Sequence, residues 1–323
     1  MDKNEISIAI LWLNRVVNFL MNFETHFCNI KLKNPLVLAS GILGTSCEIL
    51  QETHLNGCGL VTMKSIGAHP RAGHNNPTVL DFGQGLINAV GLPSPGFKNM
   101  EKQWQQLAGR NFPIIASIYG ASVAEFAMVA SFVAAKKPEF IEVNISCPNT
   151  EKEGMLFGVN PDSSFKVVKA VKKSIGNIPL IAKLTPQALN IADIASACED
   201  AGANALCAIN TVGPGMIIDI ETSKPVLSFK KGGLSGPAVK PIAVRCIYEI
   251  YKKVNLPIIG MGGVLSGEDA VEFLMAGASF IGIGSAVYYR GKSVFNKVLL
   301  EMDEWLTKHG YKNYEEIVGL AHE

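Results

Sequence analysis

The stretch EFIEVNISCPNT (139–150) carries an apolar strand pattern into Asn144, Ser146, Cys147 and Asn149, with Pro148 set beside the thiol. Pro148 disfavours helical geometry at Cys147, the residue before it. A free thiol titrates near about 8.5, and a neighbouring cation or fixed hydrogen bonds raise its thiolate fraction at neutral pH. Cys147 is therefore a candidate proton acceptor. The competing reading is an inert packed cysteine, which would have no use for flanking amides and a hydroxyl. Other apolar runs end the same way, on Ser40, on Lys64 and Ser65, on Lys183, on Asn210 and Thr211, on Gly262 and Gly263, and on Gly284 and Ser285. Each residue alone can cap a turn, but the set reads as the lining of a ligand site.

Within that set, MGGV (261–264) and GIGS (282–285) let the backbone approach an anion closely. Either motif alone is also explained by a tight turn, whereas two on successive strands point to a phosphate. An ammonium buried at a strand end is costly without a partner, so Lys64 and Lys183 favour a fixed anion nearby. Carboxylates are scarce at these ends, and Glu142, which precedes the polar tip, is expected to face elsewhere. Paired-carboxylate hydrolysis and divalent-metal chemistry thus lack their components, and no metal site is expected.

The six histidines form no constellation, and the seven cysteines include no CxxC. Free thiols in a reducing compartment, the cytoplasm, are expected, with neither zinc nor an iron–sulfur cluster on this chain. Lys and Arg number 29 against 28 for Asp and Glu, so no charge excess draws the chain to nucleic acid or to an anionic membrane. The apolar run Ile6–Leu13 is broken by Asn14 and Arg15 and falls short of the ~20 residues of a membrane span. Residues 1–20 read as an extension, and Met21 opens a stretch that looks like a protein start; residues 21–323 read as one domain.

Eight apolar runs must position the polar residues: 35–41, 59–67, 113–120, 140–148, 179–186, 205–211, 257–264 and 279–286. Helical patterns lie between them, with Ser122 as a cap and Glu125 as its capping-box partner, Ser266 as another cap, Gly277 as a stop and Pro241 in a first turn. Continuous apolar strands alternating with helices imply a parallel sheet covered on the outside, and eight repeats imply closure into an α/β (β/α)8 barrel. A doubly wound open sheet is the alternative. Long insertions follow strand 2 (68–96) and strand 6 (212–240), at the strand ends where barrel enzymes keep their sites. The segment 150–161, with Met155, Leu156 and Phe157 between Gly154 and Gly158, is expected to close over the site as a lid.

Eight motifs in one order carry a family resemblance: LASG (38–41), MKS (63–65), NAVGLPSPG (88–96), NISCPN (144–149), AKLTP (182–186), AINT (208–211), GGLSGPA (232–238) and GMGGV (260–264). Together they resemble class 1 dihydroorotate dehydrogenases, over about Met21 to Lys292. The resemblance implies a flavin barrel that oxidises dihydroorotate to orotate in pyrimidine synthesis. Cys147 would remove the C5 proton while the C6 hydride passes to FMN. A cysteine base marks class 1, since the membrane-associated class 2 enzymes carry serine.

Carried over by position, Ser40, Lys64, Ser65, Asn144, Lys183, Ile209, Gly236, Gly262, Gly263, Gly284 and Ser285 match flavin contacts, with Lys183 at the N1 and O2 edge of the ring. Lys64, Asn88, Ala89, Val90, Gly91, Leu92, Asn144, Asn149, Asn210 and Thr211 match substrate contacts. Ser117 departs from an asparagine that some members have, and Ser285 from the usual threonine.

The segment 210–241, particularly GMIIDI (215–220) and KPVL (224–227), resembles the NAD-linked subclass. That subclass implies a homodimer of this chain joined to a partner subunit carrying FAD and a 2Fe–2S cluster. The alternatives are a fumarate-reducing homodimer, a dihydropyrimidine dehydrogenase-like barrel, a flavin-free phosphate-binding isomerase or lyase using Lys183, and a non-enzymatic scaffold. Bound flavin separates the oxidoreductases from the last two.

Overall fold

A computed structural model of the chain describes residues 20–145 and 157–323. Strands β1 (Leu36–Leu38), β2 (Leu60–Thr62), β3 (Ile114–Ile118), β4 (Phe140–Asn144), β5 (Leu180–Lys183), β6 (Ala205–Ala208), β7 (Ile258–Met261) and β8 (Phe280–Ile283) each fall inside an expected run. All neighbours pair in parallel, and β8 pairs with β1 to close the barrel. Helices α1 (Cys47–Leu55), α2 (Glu101–Ala108), α3 (Val123–Ala134), α4 (Pro161–Ser174), α5 (Ile191–Asp200), α6 (Lys240–Tyr251) and α7 (Gly267–Met275) follow β1 to β7 in turn. After β8 come α8 (Ala286–Arg290) and α9 (Val294–Lys308). The open-sheet alternative is thereby excluded.

Local chemistry accounts for the helix starts. Ser266 accepts from the Asp269 N–H while the Asp269 carboxylate accepts from the Ser266 N–H, a complete capping box at α7. Ser122 accepts from the Glu125 N–H at α3, but Glu125 reaches back to the Ala121 N–H, one residue before the expected partner. Gly277 takes φ +112°, a left-handed position open to glycine, just past the end of α7.

Two apolar layers result from strand alternation. Outward residues pack under the helices in the larger core, which includes Leu36, Val61, Ile114, Ile141 and Leu206. Inward residues Val37, Leu60, Ile115, Phe140, Ile181, Ala205, Cys207, Ile259 and Phe280 fill the barrel. A hairpin ahead of β1, Thr25–Phe27 paired with Ile30–Leu32, closes the lower end. Its Phe27 ring lies 4.6 Å from Phe140 and 4.3 Å from Phe280, the first residues of β4 and β8.

The insertions after β2 and β6 are not structureless connections. Val79–Asp81, Leu86–Asn88, Gly232–Ser235 and Val212–Gly215 form one antiparallel sheet, in which Leu86–Asn88 from the first insertion pairs with Gly232–Ser235 from the second. Beyond it, Ile218–Asp219 pairs with Lys224–Pro225, leaving Met216, Ile218 and Ile220 exposed. No helix among the described residues is long and apolar enough to cross a membrane. The extension 1–20, apart from Leu20, lies outside the described residues, as does the expected lid up to Leu156.

Phe27 is buried against two rings at the barrel floor, so Phe27→Ala is expected to lower unfolding free energy by about 3–5 kcal/mol. Urea unfolding followed by far-UV circular dichroism checks this, with the midpoint falling and the slope unchanged.

Candidate active site

Polar residues gather where the eight strands end. Alternation places Ser117, Glu142, Asn144 and Lys183 on the same parity as the inward Ile115, Phe140 and Ile181. Asn144 and Lys183 are register partners on β4 and β5, and Cys207 on β6 is the next partner of Lys183. Lys183 is 4% exposed, and its Nζ donates to Ser40 Oγ at 3.2 Å, which joins the ends of β5 and β1. Asn210 Nδ2 donates to Asn144 Oδ1 at 3.4 Å, and Asn210 Oδ1 accepts from the Thr211 N–H at 2.8 Å. The ends of β4 and β6 are thereby linked through amides suited to a flat polar ligand.

Past β2 the chain stays extended, with Met63 N–H donating to Ile115 and Ile66 N–H to Ser117. That extension carries Lys64, whose N–H donates to Gly44, and Ser65, whose Oγ is 2.8 Å from Ser117 Oγ. Ser117 Oγ donates to Glu142 Oε1 at 2.7 Å. The expectation that Glu142 faces away from the site is thus overturned: the period of two that turns Asn144 inward also turns Glu142 inward. Sequence alternation alone carried that signal.

The first of the paired insertions holds the predicted positions 88 to 92. Asn88 Nδ2 donates to the Gly233 carbonyl at 3.2 Å, and a Cβ on Gly233 would stand 2.3 Å from Thr211 Oγ1, so Asn88 and Thr211 flank one backbone segment. His74 braces the loop from Ala89 to Leu92: its N–H donates to Val90, its Nδ1 lies 3.0 Å from the Ala89 carbonyl, and its ring stacks on Phe229 at 3.9 Å. Tyr119 Oη donates to the Leu92 carbonyl at 3.3 Å. His74 and Tyr119 were not singled out from sequence, since neither sits in a motif and both act across long sequence separations.

Glycines bring two backbone segments, at 236 and at 262–263, together at the mouth. Gly236, Gly262 and Gly263 take φ of +90°, +129° and +91°. A Cβ on Gly263 would lie 2.8 Å from the Gly236 carbonyl oxygen and 2.8 Å from Lys240 Cβ. A Cβ on Gly284 would make only ordinary contact, 3.5 Å from Ala39 Cβ, and Ser285 precedes α8. Ile209 is anchored by its N–H on the Met261 carbonyl. Buried hydroxyls, an amide, one ammonium and this glycine-lined edge fit a planar heteroaromatic group with an anionic tail, so the donor set suits FMN.

Burial governs the described thiols. It pushes Cys58 and Cys198 up to about 12 and Cys207 well above its ordinary value, in the last case opposed by Lys183 and reinforced by Glu142. None of these three can supply thiolate at neutral pH. Among the described residues no group of three or more His, Cys, Asp or Glu side chains could hold a metal. Cys147 and Asn149 lie outside the described residues; the chain leaves β4 through Ile145, whose carbonyl accepts from the Gly158 N–H at 2.9 Å.

The family model described as dihydroorotate dehydrogenase matches residues 22–306. The protein named dihydroorotate dehydrogenase B (NAD(+)), catalytic subunit, of Methanocaldococcus jannaschii is 47% identical over 304 residues, covering 93% of this chain and 98% of that one. Its namesake from Pyrococcus abyssi is 45% identical over 298 residues, 92% of this chain and 98% of that protein. The namesake from Methanothermobacter thermautotrophicus is 43% identical over 301 residues, covering 93% and 98%.

Gly263→Ala places a side chain against backbone in a left-handed conformation, so a stability loss on the order of 1–3 kcal/mol is expected. Gly109→Ala, at φ −92° with nothing within 4 Å, is expected to change stability by less than about 0.5 kcal/mol. Thermal unfolding of both variants checks the contrast.

Proposed function

The chain belongs to the dihydroorotate dehydrogenase family, and on that premise we propose that it oxidises dihydroorotate to orotate in de novo pyrimidine synthesis as the FMN-bearing catalytic subunit of an NAD-linked enzyme. The observation that carries this reading is the closed barrel whose strand ends bring Ser40, Ser65, Asn144, Lys183 and Asn210 together.

Oxidation removes a proton from C5 and a hydrogen with its electron pair from C6, leaving a C5–C6 double bond. Cys147, three residues beyond the end of β4, is the proposed base for the C5 proton. FMN supplies the acceptor for the C6 hydrogen and its electrons when bound. Ser40, Lys64, Ser65, Asn144, Lys183, Ile209, Gly236, Gly262, Gly263, Gly284 and Ser285 are the proposed cofactor-holding positions. Lys183, buried beside Ser40, would place a fixed positive charge where the reaction delivers negative charge.

Substrate is assigned to Lys64, Asn88, Ala89, Val90, Gly91, Leu92, Asn144, Asn149, Asn210 and Thr211. The Asn144–Asn210 pair and the braced 88–92 loop support this, because amides and backbone groups held in advance suit a planar carboxylated pyrimidine.

NAD linkage rests on the names of the relatives and on the segment 210–241. It implies a partner subunit holding FAD and a 2Fe–2S cluster, joined to a homodimer of this chain in the cytoplasm. Co-purification of an iron–sulfur flavoprotein from the native source is the expected result.

The purified chain, reconstituted with FMN if isolated without it, should show the visible flavin absorption band; a colourless protein that takes up no flavin contradicts the reading. Iodoacetamide at neutral pH should modify Cys147 before Cys58, Cys198 or Cys207, whose thiols burial keeps protonated, and orotate should protect it. Peptide mass spectrometry measures the order. Modification of Cys147 no faster than of Cys58, with or without orotate, would remove it from the base role.

A further inference from the structure

The histidine that braces the 88–92 loop also decides which face of that loop is left to a ligand. His74 takes two carbonyls of the loop at once: its N–H donates to Val90 at 3.1 Å, and its Nδ1 lies 3.0 Å from the Ala89 oxygen. A carbonyl oxygen only accepts, so Nδ1 carries a proton and donates. The ring is held in that orientation by its stack on Phe229, with centroids 3.9 Å apart and planes within 7°. Phe229 belongs to the other insertion, where its neighbour Ser228 donates its N–H to the Pro77 carbonyl at 3.1 Å and its hydroxyl to the Asn75 carbonyl. Both insertions therefore seat His74 against the loop.

The peptide bonds on either side of Val90 are trans, and across a trans peptide C=O and N–H point to opposite sides. With the Ala89 and Val90 carbonyls drawn onto His74, the N–H groups of Val90 and Gly91 are both turned away from it. Among the described residues neither N–H finds an acceptor. Gly91 takes φ +78°, and a Cβ there would stand 2.8 Å from His74 N and Cγ, so the loop lies directly on the histidine. Leu92 takes φ +52°, which residues other than glycine seldom adopt, and Tyr119 Oη holds its carbonyl at 3.3 Å.

Two successive N–H groups on one side of a turn form a concavity suited to an anion. We propose that His74 is a positioning residue for the substrate: by drawing two carbonyls onto itself, it presents the Val90 and Gly91 N–H groups to the carboxylate of dihydroorotate. This rests on the assignment of positions 88 to 92 to substrate made above, and it adds a residue that acts through the loop. If His74 only held the insertions together, its stack would matter and its Nδ1 proton would not. Asparagine places an N–H donor near the Nδ1 position but has no ring to stack, and alanine has neither.

His74→Ala should weaken orotate binding by roughly threefold to tenfold, the scale of one hydrogen bond. KM for dihydroorotate should rise by a like factor with kcat within about twofold of wild type, because the contact serves ground state and transition state alike. His74→Asn should return orotate affinity to within about twofold of wild type. The experiment uses the full chain loaded with FMN, titrated with orotate by calorimetry and assayed for dihydroorotate oxidation with an artificial electron acceptor; the apoprotein is titrated with FMN by fluorescence, and its affinity should be the same in all three proteins. Unchanged orotate affinity in His74→Ala overturns the proposal, as does a His74→Asn no better than His74→Ala, which would assign the effect to the stack. A loss of FMN affinity as large as that of orotate overturns it too, since the mouth would then have loosened as a whole. A wild-type chain that holds FMN but neither binds orotate nor oxidises dihydroorotate contradicts the proposed function instead, so the two failures are distinguishable.

Discussion

The structure depends on alternation along a closed parallel barrel. Because β8 pairs with β1, no strand has a free edge, and each side chain points either under the helices or into the barrel. One parity therefore carries Phe140, Glu142 and Asn144 upward along β4, from an apolar floor to a buried carboxyl group to an amide at the mouth. Beside it Ile181 and Lys183 make the same climb on β5. A slip of one residue in either strand would exchange these groups with outward residues and bury the charge under a helix.

Everything at the mouth hangs on that frame. The glycine backbones at 236, 262 and 263 meet at distances that a single Cβ would violate, so the loop after β6 and the end of β7 are seated together. Pairing of Leu86–Asn88 with Gly232–Ser235 joins the two insertions, and His74 between Ala89 and Phe229 braces them again. The groups proposed to bind, drawn from distant parts of the chain, are thus held in place by the fold itself, which lowers the ordering cost of binding.

Much of this was legible in the sequence. A strand buried on both faces reads as an unbroken apolar run, and all eight barrel strands lie inside such runs. Helix caps such as Ser266 were legible for an equally local reason, since the partners are three residues apart. The insertion sheet was not, because its strands are three or four residues long, two of them are rich in glycine, and the pairing that joins the two insertions spans more than a hundred residues. The floor hairpin escaped notice for its brevity. Glu142 was misjudged because alternation was read as turning it away from the site, whereas it shares the inward parity of Phe140 and Asn144. Cys147 and Asn149, central to the proposed chemistry, rest on their motif, since they lie outside the described residues.

The central claim is that a thiol beyond β4 takes the C5 proton while electrons leave C6 for a flavin seated over Lys183. Anaerobic stopped-flow mixing of the FMN-loaded chain with dihydroorotate tests it most directly. Wild-type protein should lose its visible flavin absorption on mixing, and Cys147→Ser should slow that loss by orders of magnitude at neutral pH. Flavin that stays oxidised in the wild type, or bleaches equally fast in the variant, would contradict the claim.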